Sequence, residues 1–187
     1  NPYGSFDPLL LSDGRLVHGS ARPSGGSSLL TVNTDGTDVF EFAGLENPPV
    51  RRGMPRETSD GLVVYVESAA GSDPFGGGAL VAVERVHGLG TRRVVASGSH
   101  GYFHSPSSFG GALLVSYRSR TEGTYGIRLL DPSRGRPGLV ILDDPDWHEL
   151  DALAVKPRSM PAGRSSVVNE TVDFGFLYCL DAAETAG

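Results

Sequence analysis

The stretch "LSDGRLVHGSAR" (11–22) returns as "TSDGLVVYVESA" (58–69) and again, altered, as "SFGGALLVSYRSR" (108–120). Its turn glycines, Gly14, Gly61 and Gly111, lie 47 and 50 residues apart. Each copy leads into a glycine-rich connection: "PSGG", "GSDPFGGG" and "TEGTYG". A second apolar run follows: "SLLTVN" (28–33), "ALVAVE" (79–84) and "GIRLLD" (126–131). A third closes the unit: "DVFEFA" (38–43), "RRVVAS" (92–97) and "GLVILD" (138–143). A period near 45 residues constrains the fold more than any composition does, because one such unit cannot bury its apolar face alone and must stack on its neighbours.

The runs are short, rich in Val, Leu and Tyr, and bounded by Gly, Pro, Asp and Ser, which marks strands. Alternation is plain in "LVVYVES" and "LLVSYRS". A proline-bearing segment precedes each copy ("NPYGSF", "GMPRE", "YFHSPSS") and supplies a first strand. The expected fold is therefore all-β: a β-propeller segment of about three four-stranded antiparallel blades plus a partial fourth. The blades fall at about 1–45, 50–98 and 101–145. The partial fourth, about 146–182, takes strands from "DWHELDALAVKPRS" and "GFLYCLDA" (175–182), around a long insertion. A closed propeller needs about four to eight blades, so a segment of a larger propeller is expected. A two-layer sandwich is the alternative architecture.

The 26 glycines and 13 prolines among 187 residues fit many turns without low-complexity tracts. A net charge of −6 and the lack of a basic stripe argue against a nucleic-acid partner. No apolar run approaches the ~20 residues of a membrane helix. Cys179 is the single cysteine, which rules out an internal disulfide. The chain opens at Asn1 without a visible signal peptide, as expected of a processed chain or a piece of a longer one.

Ser-Asp-Gly, strand, Ser-x-Arg, glycine-rich turn, strand, Asn-x-Asp-Gly resembles the TolB-type propeller repeat, best over residues 11–42 and more loosely over 1–145. The last third is similar to the middle propeller of hydrazine synthase alpha-subunit-like proteins. The matching positions are His104, Ser105 and Pro106; Val155, Pro157, Arg158 and Pro161; and Gly175, Leu177, Cys179 and Asp181. In that family the chemistry belongs to flanking c-type haem domains. This chain has no Cys-x-x-Cys-His, so no cofactor is expected in it, and haem only in flanking domains. The resemblance also implies a periplasmic or extracellular setting, with flanking domains or other proteins as partners.

If the first strands line a channel, they bring Arg56 and Glu57, His104 and Ser105, and His148 and Glu149 to it as candidate ligand-binding or channel-lining residues. The competing reading is a set of solvated or mutually paired side chains. His100 and His104, four apart, lie ~13 Å apart along one strand, so sharing an ion needs a turn between them; with His148 they could make a three-nitrogen metal site. The "DDPD" acidic run suits a turn before Pro145 better than a calcium loop. No Gly-x-Ser-x-Gly is present, and Ser99 beside His100 points to the opposite strand face. No catalytic residue is assigned. Trp147 is expected as a blade-to-blade anchor and Cys179 as a small buried residue.

Three functional readings follow: a non-catalytic scaffold or binding propeller, the middle region of a multidomain cytochrome redox enzyme, and the regulatory propeller of a prolyl-oligopeptidase-type hydrolase. The last requires a nucleophile motif downstream.

Overall fold

The structure is a computed structural model and describes residues 3–44, 50–69, 72–99, 101–121 and 123–162. Twelve strands form three separate four-stranded antiparallel sheets, each in sequence order, with no helix among the described residues. The first sheet is β1 (Ser5–Leu10), β2 (Arg15–Ala21), β3 (Ser27–Asn33) and β4 (Phe40–Ala43). The second is β5 (Arg51–Glu57), β6 (Leu62–Ser68), β7 (Ala79–Glu84) and β8 (Arg93–Ala96). The third is β9 (Gly101–Phe109), β10 (Ala112–Ser119), β11 (Gly126–Asp131) and β12 (Arg136–Leu142). Three meanders of this kind are propeller blades in outline, and they do not close into a ring. The two-layer sandwich alternative fails because there are three sheets and the middle one packs a neighbour on each face.

Gly14, Gly61 and Gly111 each stand immediately before the second strand of their sheet. In the first two sheets the turn is the same hydrogen-bonded object. Leu11 N–H donates to Arg15 O at 2.8 Å and Gly14 N–H to Leu11 O at 3.0 Å; Thr58 donates to Leu62 at 2.9 Å and Gly61 to Thr58 at 3.2 Å. Gly14 and Gly61 close it at φ +87° and +81°, where a Cβ would be strained. The third sheet shortens the turn to two residues, Gly110 and Gly111, with Phe109 paired to Ala112. There the left-handed residue is Gly110, at φ +60°.

Strand alternation makes the middle sheet two-faced. Val63, Tyr65, Val81 and Val83 pack with Val17, Leu29 and Phe42 of the first sheet. Val64, Val66, Leu80 and Ala82 pack with Phe103, Leu113, Val115 and Leu130 of the third. Each interface is an apolar cluster fed by two sheets, so the stabilising burial lies between repeats rather than within them.

The first strands share an irregularity that ties the sheets together. Asp7, Met54, Ser105 and Asp151, spaced by 47, 51 and 46 residues, are four of the five non-glycine residues with positive φ among the described residues. The first three precede Pro8, Pro55 and Pro106, and a proline further disfavours that backbone for the residue ahead of it. Strand register slips at each of the three, between Phe6 and Leu9, between Gly53 and Arg56, and opposite Leu114 and Ser116. These are bulges, which bend the strand. Cross-links between sheets accompany the strain: Met54 N–H donates to Asp7 Oδ2 at 2.8 Å, and Ser105 N–H donates to Met54 Sδ at 3.4 Å.

A second link joins the start of each third strand to the first strand of the next sheet. Ser27 Oγ donates to Arg52 O at 2.7 Å in the first interface. Gly78 and Phe103 exchange backbone bonds of 3.0 and 2.8 Å in the second. The same place in the third sheet is Tyr125, whose carbonyl accepts from Glu149 N–H at 2.8 Å. Residues 148–151, with Asp151 at φ +57°, thus hold the position of a fourth first strand. No strand is assigned over 143–162; the chain there has no second strand beside it among the described residues. It runs instead to the first sheet, where Arg158 donates to Leu10 O and Ala162 N–H to Ser12 O, both at 2.8 Å. The segment at 175–182 and Cys179 lie outside the described residues. Trp147 is 73% exposed, not a buried anchor, since no further sheet covers it among the described residues.

Candidate functional site

Two of the histidines expected at the first strands, His104 and His148, each lie beside one residue that periodicity did not single out, Tyr125. The Tyr125 ring is fully buried just before β11, with His104 of β9 at 5.7 Å and His148 at 5.8 Å between ring centroids. Phe75, from the β6–β7 connection, lies tilted against His148 at 4.3 Å and meets Tyr125 edge-on at 6.2 Å. His148 Nδ1 accepts from Tyr125 N–H at 3.0 Å, which leaves its other nitrogen as the N–H tautomer when neutral. Ser105 Oγ contacts His104 Nδ1.

Beneath this group lies Asp73, whose side chain is wholly buried. Its Oδ2 accepts from the Tyr125 hydroxyl at 3.1 Å and from the backbone N–H groups of Phe75 and Gly77 at 3.0 and 2.8 Å. Its Oδ1 pairs with the Arg118 guanidinium, which lies 5.2 Å over both the Tyr102 and Tyr125 rings. The carboxylate is paired and hydrogen-bonded, which is what makes its burial tolerable. Burial, then the Asp73 charge, pushes the Tyr125 phenol well above its ordinary range, so it stays a protonated donor.

Burial holds the His104 imidazole below its ordinary value; Asp151, the Phe75 backbone, Asp73 and Asp7 pull the other way without restoring it. A depressed histidine favours the folded state when neutral. Stability is complete above the unfolded value of 6.5 and is lost as pH falls toward the lower folded value. Chemical denaturation between about pH 5 and 7 is expected to show this slope, and His104→Gln to flatten it. An unchanged slope would mean that other groups carry it.

The remaining expected residues lie elsewhere. Glu57 accepts from Ser12 N–H and Oγ at 2.7 and 2.6 Å and from Arg85 at 2.7 Å, stitching the β1–β2 turn to the second sheet. Arg56 donates to Pro55 O at 2.9 Å. Glu149 Oε1 accepts from Asp144 N–H at 3.2 Å, and Asp144 Oδ1 accepts from Asp146 N–H at 2.9 Å, so the acidic run is a turn. His100 lies outside the described residues. Among the described residues no group of three or more His, Cys, Asp or Glu converges as metal ligands would. No described helix is long and apolar enough to cross a membrane.

Asp73, Phe75, Arg118 and Tyr125 were not picked out from the sequence. The available signal was "DPFGGG", in which an aspartate two and four residues ahead of free backbone N–H groups closes a turn on itself.

No protein-family profile and no curated protein matches the chain. Sixteen solved chains do. Among them is hydrazine synthase from Kuenenia stuttgartiensis, with a TM-score of 0.67 and 26% identity over 79% of this chain. The match covers 20% of that protein, so the chain corresponds to about a fifth of its length.

Proposed function

We propose that this chain is a non-catalytic scaffold segment of a larger TolB-like β-propeller that positions partner domains or proteins. One position carries the reading. Ala43, Ala96 and Leu142 are equivalent residues of β4, β8 and β12, paired to Leu29, Leu80 and Ile127. They are 5%, 2% and 56% exposed. What the following sheet covers in the first two repeats is open in the third, together with Leu139, Val140 and Ile141 at 67%, 45% and 53%. An apolar residue left open on an outer strand, at the position that is buried in the two preceding repeats, marks a surface made to be covered.

The test places a thiol at Leu142 in a Cys179→Ser background. Leu142→Cys is expected to label freely in the 187-residue chain and at least about tenfold more slowly in a polypeptide extended beyond it. Equal labelling in both would end the reading.

The similarity to hydrazine synthase favours a second reading, that the segment is the middle region of a multidomain cytochrome redox enzyme with haem in its flanking domains. A Soret band from the extended polypeptide, with Cys-x-x-Cys-His in its sequence, supports it; absence of both removes it. A periplasmic or extracellular setting goes with either reading.

A further inference from the structure

An open pocket of about 420 Å³ lies at one rim of the junction between the first and second sheets, lined by Phe6, Ala21, Ser27, Arg51, Ser68 and Asp73 among others. The volume suits a small organic ligand. Two charged residues line it, and they differ in what holds them. Asp73 is committed to Arg118, the Tyr125 hydroxyl and two backbone N–H groups. Its charge is neutralised before a ligand arrives. Arg51 is exposed and makes no hydrogen bond or ion pair among the described residues. Its guanidinium rests 5.7 Å over the Phe6 ring, and Gly76 leaves room beside it, an added Cβ there standing 3.6 Å from Nη1.

The uncompensated charge of the pocket is therefore a cation placed over an aromatic ring, beside apolar side chains and two buried serines, Ser27 at 2% and Ser68 at 7% exposure. A guanidinium in that setting offers paired N–H donors to a planar anion. We infer that this pocket binds a small organic carboxylate, with Arg51 as its anchor, the carboxylate lying in the plane of the guanidinium and the apolar part against Phe6, Ala21 and Ala69. This goes beyond the scaffold reading and does not depend on whether further sheets follow β12.

The probe is benzoate, with benzyl alcohol as the uncharged analogue of similar size and inorganic phosphate as the alternative anion. Titration of the full chain, followed by backbone amide shifts, is expected to move residues 26–27, 51, 68–69 and 76 saturably with benzoate. Benzyl alcohol and phosphate are expected to bind at least about tenfold more weakly. Arg51→Gln is expected to weaken benzoate binding about 10–100-fold with only a small change in the denaturation midpoint, because the side chain is exposed and its contact is the cation–π one with Phe6. Arg51→Lys should restore binding only in part. Unsaturable shifts, equal binding of benzyl alcohol, tighter binding of phosphate, or unchanged binding in Arg51→Gln would each overturn the assignment.

Discussion

Replacing Gly78 with valine is expected to cost about 3 kcal/mol and to loosen the third sheet from the second. Gly78 is where the two sheets exchange backbone hydrogen bonds, 3.0 Å to Phe103 O and 2.8 Å from Phe103 N–H. A Cβ built there would stand 2.0 Å from Glu67 O and 2.9 Å from Ser68 Cα, both backbone atoms that no rotamer change can move. The chain must part either from its own β6 partner or from β9. Urea denaturation followed by tyrosine fluorescence checks this, since Tyr117 lies in β10 and Tyr125 just before β11 of the third sheet. A midpoint change worth less than about 0.5 kcal/mol would mean that the bridge carries no weight.

A loss of about 3–5 kcal/mol is expected for Glu67→Ala. Glu67 accepts from Arg52 Nε at 2.9 Å, and from Arg92 Nε and Nη2 at 3.1 and 2.5 Å. Arg52 is 2% exposed in the first interface, so deleting the carboxylate takes its Glu67 counter-charge from a buried cation. Burial works against ionised Glu67, but the Arg92 hydrogen bond and the charges of Arg52 and Arg92 outweigh it and hold the carboxyl below its usual value. The stabilisation is therefore present above the ordinary value of 4.5 and is lost as pH falls through the lower folded one. Denaturation midpoints of the wild type and of Glu67→Ala should converge in acid. A constant difference down to about pH 3 would show that the loss is packing alone.

The strands were legible in the sequence because their signals are local. "ALVAVE" and "GIRLLD" coincide with β7 and β11 in full, and the Gly14, Gly61 and Gly111 turns open β2, β6 and β10. Local signals could not reveal what happens between sheets. Asp73 and Tyr125 meet across 52 residues, and Arg118 reaches Asp73 across 45; no strand pattern states which loop folds under which neighbour. Glu57 shows a different obstacle. Glu57 and His104 are both first-strand residues, yet with Met54 and Ser105 as matching positions Glu57 lies three residues after the bulge and His104 one before its own. Glu57 is tied to Ser12 and Arg85 while His104 stands with Tyr125. The prolines at positions 8, 55 and 106 were visible from the start. The left-handed residues before them were not, because that backbone is disfavoured ahead of proline and persists here beside cross-links to the next sheet.

Successive copies of one meander, each joined to the next by the start of its third strand, are the basis of everything above. Amide exchange and through-space proton contacts at Gly78, Phe103, Tyr125 and Glu149 test this most directly. Slow exchange at Gly78, Phe103 and Glu149, with close backbone contacts between Gly78 and Phe103 and between Tyr125 and Glu149, is the expected result. Fast exchange at these amides with no contact across either pair would contradict it.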